Sequence, residues 1–194
     1  MAFLDLVTSR HSVRSYQHRP VEPEKVAAII EAGLLSPSAV NKQPTRVFIA
    51  STPDELERVG RSCPRFVKDG SVFGAPLALV VFANQGLSYV RKYDNKNFGD
   101  IDASIVCTHM MMEATELGLG TCWVGHFHPG DLRDALGVRG RLEPVAILTV
   151  GYADEPEAVD MRQHLFGRRI SPAQFLDLTP APTKPKDARR RIQA

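Results

Sequence analysis

The order of elements around the chain's glycine-rich stretch constrains the fold most. Apolar residues recur at three- and four-residue steps over about 102–117, which predicts a long amphipathic helix. Gly118-Leu119-Gly120 then ends the helix, and a short apolar strand is predicted directly afterwards over Thr121–Val124. A dinucleotide-binding fingerprint needs the reverse order, with a strand before the glycines and a helix after them, and the GxGxxG spacing is absent. The sequence therefore disfavours a Rossmann-type doubly wound sheet.

The remaining elements mix helices and strands without the regular βαβ alternation of such a sheet. Apolar periodicity and capping residues predict further helices, and short β-branched or apolar runs predict further strands. The predicted helices cover about 3–9, 23–36, a segment that begins at 53 after a Ser51 or Thr52 cap, and 131–136, and the predicted strands cover 47–50, 77–82 and 145–150. Polar residues 84–100 indicate an excursion or lid. No internal repeat or linker divides the chain.

Composition excludes several classes of protein. Hydrophobic residues make up 43% of the chain and charged residues 24%, which is typical of globular proteins. The longest apolar run, Ala75–Ala83, is far shorter than the roughly 18–20 residues that cross a bilayer. Three cysteines without a CxxC spacing, and no signal-peptide pattern over residues 1–10, predict reduced thiols in the cytoplasm. The formal charge of +2 is the sum of +4 over residues 180–194 and −2 over the rest of the chain. The body therefore offers no basic field, and we expect neither nucleic-acid binding nor membrane insertion.

Two cationic groups are candidates for binding an anion. Arg10, Ser12 and Arg14 alternate along the chain, so in an extended segment they would point the same way and could hold a phosphate. The alternative is a helix C-terminus at which arginines favour the negative dipole end. Arg168 and Arg169 follow Gly167 and could supply the second half of a phosphate site, or they could be ordinary surface charge.

Two further segments could contact a flat ligand. The loop Pro37–Pro44 offers small side chains, backbone amides and the carboxamides of Asn41 and Gln43, although an ordinary interhelical loop has the same composition. The glycines of Gly118–Gly125 would allow close backbone approach, or they could simply end a helix before a buried strand. His126 and His128 lack a third metal ligand at a recognisable spacing, so no metal is expected.

These motifs occur in one order, and together they resemble the nitroreductase family of FMN-dependent NAD(P)H oxidoreductases, in its short-chain branch. The similarity runs from about residue 3 to residue 178. The motifs that carry it are Arg10-His11-Ser12-Val13-Arg14, then Ser36-Pro37-Ser38-Ala39 with Asn41 and Gln43-Pro44, then Asp102 with Glu116 to Gly125, then Pro144-Val145 with Val150-Gly151-Tyr152, and finally Arg168-Arg169.

The resemblance implies an α+β fold in which helices flank a mixed, mostly antiparallel sheet. It also implies an interlocked homodimer with FMN at the subunit interface and a domain over 1–179. The prolines and the run of charges that follow indicate a basic, proline-rich tail over 180–194. The resemblance also assigns site residues by position. The phosphate, ribityl chain and pyrimidine edge would be contacted by Arg10, His11, Ser12 and Arg14, and the phosphate also by Arg168 and Arg169. The isoalloxazine would be lined by Cys122, Trp123, Val124 and Gly125, and the partner subunit would contribute Pro37, Ser38, Ala39, Asn41 and Gln43.

The implied activity is hydride transfer from NAD(P)H through flavin N5 to a small oxidised acceptor such as a nitroaromatic or quinone, with ping-pong kinetics. No catalytic side chain is expected because the flavin carries the chemistry. Arg14 is the candidate for stabilising negative charge near N1. One alternative on the same fold is a flavin-dependent dehalogenase or flavin-consuming enzyme with 84–100 as its lid, and another is a non-catalytic FMN-binding or storage protein. No residue of 64–74 is assigned to the flavin's other polar edge.

Overall fold

The computed structural model describes residues 2–154, so Arg168, Arg169 and the tail lie outside the described residues. Its helices are α1 (Phe3–Ser9), α2 (Pro23–Leu34), α3 (Pro53–Arg61), α4 (Gly99–Glu116) and α5 (Pro129–Ala135). Its strands are β1 (Thr45–Ala50), β2 (Val67–Lys68), β3 (Ser71–Val72), β4 (Leu77–Asn84), β5 (Gly120–Val124) and β6 (Leu142–Gly151). Within this part of the chain, no helix has the length and apolar character needed to cross a membrane.

Four of these strands form one sheet in the order β1-β4-β6-β5, and every neighbouring pair is antiparallel. A single parallel bridge, between Ser12 and Thr121, adds the segment after α1 to the outer side of β5. Strands β2 and β3 form a separate hairpin. The predicted α+β class with a mostly antiparallel sheet is therefore confirmed.

The position of β4 between two layers of helices explains why its sequence has no polar face. Successive side chains of a strand point to opposite faces, and helices cover both faces here. Leu79 and Val81 pack on the side of α2 and α4, whereas Val80 and Phe82 pack on the side of α3 and α5. The apolar run is continuous because neither face of β4 meets water.

Helix α4 begins about one turn earlier than its apolar pattern predicts. The side chain of Asn97 accepts the Gly99 N–H at 2.8 Å and so satisfies one of the N–H groups of the first turn. Gly33 of α2 lets the two helices approach closely, since a Cβ on Gly33 would lie 2.9 Å from Met110 Cγ. At the other end, Gly118 adopts a φ of +75° and ends the helix as predicted.

Three other segments differ from the sequence expectation or refine it. Of the predicted excursion over 84–100, the part between β4 and α4 is an ordered turn, in which Arg91 N–H donates to Lys96 O and Phe98 N–H donates to Tyr89 O, both at 2.9 Å. The predicted cap of α3 is Thr52, in a capping box with Glu55. The hairpin of β2 and β3 was not predicted, because strands of two residues show no alternation of apolar and polar side chains.

Candidate functional site

The cationic segment lies along the outer edge of β5. Its backbone is extended, and Val13 N–H donates to Thr121 O at 2.9 Å next to the bridge at Ser12. Val13 is buried against Gly120, where a Cβ would lie only 2.6 Å from Val13 Cγ2. Gly120 is therefore required for the segment to approach the sheet edge this closely.

Arg10, Ser12 and Arg14 all act on the thiol of Cys122, which places them around one side chain of β5. Burial raises the pKa of this thiol, while the positive charge of Arg14, a hydrogen bond with Ser12 and the charge of Arg10 each oppose that rise. The net shift is upward, so Cys122 stays a protonated thiol at neutral pH rather than a nucleophile. Two cationic side chains and a hydroxyl thus lie near one side chain of β5, and Arg14 Nη1 donates to Ser12 O at 3.3 Å. Such a group of donors is suited to an anion.

Tyr16 holds the far end of the segment in place and was not singled out from the sequence. Its side chain is buried, its hydroxyl donates to Val13 O at 3.0 Å, and it lies 2.8 Å from Thr149 Oγ1 of β6. Burial raises the pKa of Tyr16 well above its ordinary value, so the hydroxyl remains a donor. One residue further on, Gln17 N–H donates to Tyr152 O at 2.9 Å.

The predicted ligand-facing stretch Cys122–Gly125 offers backbone rather than side chains. The carbonyl of Thr121 points to the outer edge, and peptide groups alternate along a strand, so those of Trp123 also point away from β6. The side chains of Cys122 and Val124 are buried, and Trp123 is half-buried. Gly125 is exposed, and a Cβ added there would meet no atom within 4 Å.

The second group of predicted residues forms a strained loop between α2 and β1. Three of its residues have positive φ without being glycine: Val40 at 46°, Asn41 at 54° and Gln43 at 48°. Ser38 Oγ accepts the Gln43 N–H at 2.9 Å, and Gln43 Nε2 donates to Asn41 Oδ1 at 3.1 Å. Both carboxamide side chains are exposed, as is Pro37 at the start of the loop.

The two groups lie at diagonally opposite corners of the sheet. Thr45, which follows the loop, pairs with Ala83 of β4, whereas Thr121 lies in a row with Val150 and Leu77. At 3.3–3.4 Å per residue, Leu77 and Ala83 are about 20 Å apart along β4, and three strand spacings add about 14 Å across the sheet. One copy of the chain therefore does not bring the two groups together.

Lys68 is a cation near the segment that sequence reasoning missed. The hairpin of β2 and β3 carries it to Ser15, whose Oγ accepts from Lys68 Nζ at 3.2 Å. Asp69-Gly70 was the signal that could have found this hairpin, because an Asp-Gly pair favours the turn with two positive φ values, and those observed are 51° and 82°. Lys68 thus lies in the interval 64–74 where no residue had been assigned.

His11 and the histidines after β5 have more limited roles in this geometry. His11 Nδ1 lies 3.1 Å from Ser9 O. The ring of His126 packs edge-on against Phe66 with centroids 5.8 Å apart, which seats the hairpin near the end of β5. Over residues 2–154, no three His, Cys, Asp or Glu side chains are grouped so that they could hold a metal ion.

The fold is an antiparallel sheet flanked by helices, with a cationic segment along one edge, and comparison with known proteins identifies its family. The model of the nitroreductase family matches residues 7–70 and 63–152. The chain belongs to this family.

Relatives and solved structures agree with that assignment. A protein of Methanothermobacter thermautotrophicus, with the provisional name NADH dehydrogenase/NAD(P)H nitroreductase, is 28% identical over 168 residues that cover 83% of each chain. A nitroreductase family protein of Clostridium difficile 630 superposes with a TM-score of 0.84 at 30% identity, covering 93% of this chain and 100% of that one. An FMN-dependent nitroreductase of Clostridium difficile R20291 gives a TM-score of 0.69 at 26% identity, covering 80% and 90%.

Proposed function

We propose that the protein is a homodimeric, FMN-dependent NAD(P)H oxidoreductase that reduces small oxidised acceptors. The observation that carries this proposal is the placement of Arg10, Ser12 and Arg14 near Cys122, on the extended segment that lies along the outer edge of β5. Membership of the family supports it, as do the FMN dependence named for the Clostridium difficile R20291 protein and the NAD(P)H activity named for the archaeal relative.

The donor set of this edge fits FMN. The cofactor combines a phosphate, a hydroxylated chain and a flat ring with one polar edge. Guanidinium groups suit the phosphate, a serine hydroxyl suits the chain, and outward-pointing peptide groups with an open Gly125 suit the ring. Because the raised pKa of Cys122 keeps that thiol protonated, the thiol adds no negative charge beside the phosphate.

Each group has a distinct part in this proposal. Arg10 and Ser12 would hold the phosphate and ribityl chain, and Arg14, helped by Lys68, would place positive charge at the pyrimidine edge. The peptide groups of Trp123 and Gly125 would orient the ring. When bound, FMN supplies the hydride-accepting atom and the route for electrons to the acceptor. The chain itself binds, orients and stabilises developing negative charge.

A second copy of the chain would complete the site with its 37–43 loop. The separation of about 20 Å along β4 and about 14 Å across the sheet supports this arrangement, because one copy cannot close both groups on one ring. Large apolar side chains that are 72–77% exposed in the single chain also support a dimer. They are Phe3, Leu4, Leu34 and Leu35.

We further propose nitroaromatics or quinones as acceptors and ping-pong kinetics. The electron donor and the acceptor would bind over the same open face of the flavin ring in turn. The raised pKa of Cys122 keeps this thiol protonated, which disfavours its use as a nucleophile in a different reaction. The three buried, unbridged cysteines support a cytoplasmic location.

The visible absorption spectrum of the purified protein tests the function. We expect oxidised-flavin bands that bleach anaerobically when NADPH or NADH is added and return when a quinone follows. Bands that persist with both nucleotides would favour the storage alternative, and release of halide from a halogenated aromatic would favour the dehalogenase. A colourless protein that takes up no added FMN would contradict the proposal.

A further inference from the structure

Asp102 is a buried carboxylate that forms no ion pair with any other residue of 2–154. It lies in the first turn of α4, its side chain belongs to a residue only 1% exposed, and its Oδ1 accepts the Ala39 N–H at 2.9 Å. Its Oδ2 is buried and has no hydrogen-bond partner among residues 2–154. The positive end of the helix favours the charge in part, but a buried oxygen without a donor remains costly. An apolar residue would suit this core position better if packing were its purpose.

The hydrogen bond of Asp102 reaches the loop at the start of its strained turn. Ala39 begins the turn Ala39–Asn41, and the positive φ of Val40 is unusual for a β-branched residue. Strained backbone of this kind persists only where surrounding contacts determine it. Ser38 fixes the turn from within through Gln43 N–H, and Asp102 fixes it from the protein interior.

We propose that Asp102 is a positioning residue for the 37–43 loop. By fixing the peptide of Ala39, it keeps the turn in its strained conformation and presents the exposed carboxamides of Asn41 and Gln43 in one orientation. The inference rests on the proposed function, in which this loop contacts the cofactor of the second copy. In this interpretation, Asp102 is present because it holds the loop, and the free-energy cost of burying its unpaired Oδ2 follows from that role.

Two substitutions separate positioning from packing in the full-length chain. Asp102→Ala removes the acceptor of the Ala39 N–H, whereas Asp102→Asn keeps an oxygen there and removes the unpaired charge. Asp100→Ala is the matched control, because Asp100 is an exposed acid in the same turn and its Oδ1 accepts from Gln85 at 2.7 Å. FMN affinity by fluorescence titration, exchange of the amide hydrogens of residues 41–43, and the thermal midpoint are measured for each.

Asp102→Ala is expected to weaken FMN binding about tenfold, as loss of one buried hydrogen bond implies, and to speed amide exchange in the loop. Asp102→Asn is expected to restore both properties and to keep or raise the thermal midpoint. Asp100→Ala should leave FMN affinity and loop exchange unchanged. Rescue by the asparagine would support positioning, since a purely structural role would not restore loop exchange and affinity together.

A third substitution keeps the test decisive if Asp102→Ala does not fold. Ala39→Pro removes the same N–H at the first position of the turn, where proline is well tolerated, and should reproduce the faster exchange of residues 41–43. Loop exchange like that of the native protein in Asp102→Ala or Ala39→Pro, or equal losses in Asp102→Asn and Asp102→Ala, would overturn the proposal. If the native protein binds no FMN, the proposed function fails while loop exchange alone still decides the role of Asp102.

Discussion

The two halves of the candidate site are built by different physics. The segment 10–16 is extended and is fixed by isolated bridges at Ser12 and Tyr16, by close packing on Gly120 and by the buried Tyr16 hydroxyl. The 37–43 loop is a tight turn with three strained residues, tied to the core through the single carboxylate of Asp102. The segment 10–16 presents charged side chains along the edge of the sheet, and the 37–43 loop presents neutral carboxamides on a strained backbone. Removing charge from the first half should therefore affect FMN binding more than removing amides from the second.

The largest expected effect comes from the cationic edge. Arg10→Ala combined with Arg14→Ala should weaken FMN binding at least about a hundredfold, since each charge-assisted hydrogen bond contributes about 1.5–3 kcal/mol. Asn41→Ala combined with Gln43→Ala should cost only about thirtyfold, because each of two neutral hydrogen bonds contributes about 1 kcal/mol. Titration of the apo-protein with FMN measures both.

Arg61→Ala serves as the control for the charge change, because Arg61 pairs with Glu57 on the exposed surface of α3. It should bind FMN like the native protein. Equal losses in the two double variants would show that charge does not distinguish the halves.

The extended segment 10–16 could be predicted from the sequence, whereas the conformation of the 37–43 loop could not. An extended segment has a period of two, so the alternation of Arg10, Ser12 and Arg14 indicated a shared side, and the structure brings all three to Cys122. The loop's strained φ values have no such signal, because neither Val40 nor Gln43 is a residue that favours the left-handed region. Helix and strand order was predictable from apolar periodicity, whereas Asp102 resembled any acid in the first turn of a helix.

The close approach of the segment to β5 gives the next prediction. Gly120→Ala should destabilise the protein by about 1–3 kcal/mol, because its Cβ would clash with the buried side chain of Val13. Denaturant unfolding measures the change. Gly130→Ala is the matched control, since a Cβ there meets no atom within 4 Å. If both variants unfold at the same denaturant concentration, close packing at Gly120 does not hold the segment.

The smallest expected effect concerns the hydrogen bond between Glu22 and Tyr152, the residue whose carbonyl accepts the Gln17 N–H. Glu22 accepts from the Tyr152 hydroxyl at 2.7 Å, and this bond, with Arg19, lowers the pKa of Glu22 to about 2. The folded-state pKa is depressed, so the stabilisation is fully present above the ordinary glutamate value and is lost as the pH falls toward about 2. Glu22→Gln should therefore remove part of the acid sensitivity of unfolding between about pH 4.5 and 2.

Thermal unfolding over that pH range measures the effect. Glu57→Gln, which alters an exposed pair on α3, is the matched control and should keep the native acid profile. If Glu22→Gln has the same acid profile as the native protein, the hydrogen bond between Glu22 and Tyr152 does not help to hold the segment.

Mixing two defective subunits tests the shared site most directly. One subunit carries Arg10→Ala and Arg14→Ala, the other carries Asn41→Ala and Gln43→Ala, and the two are unfolded together and refolded. If each site takes its charged edge from one copy and its loop from the other, half of the sites in every mixed dimer are intact, and about a quarter of all sites should regain native FMN affinity. If both halves came from one copy, every site would keep a defect, and the absence of any high-affinity FMN binding in the mixture would contradict the account.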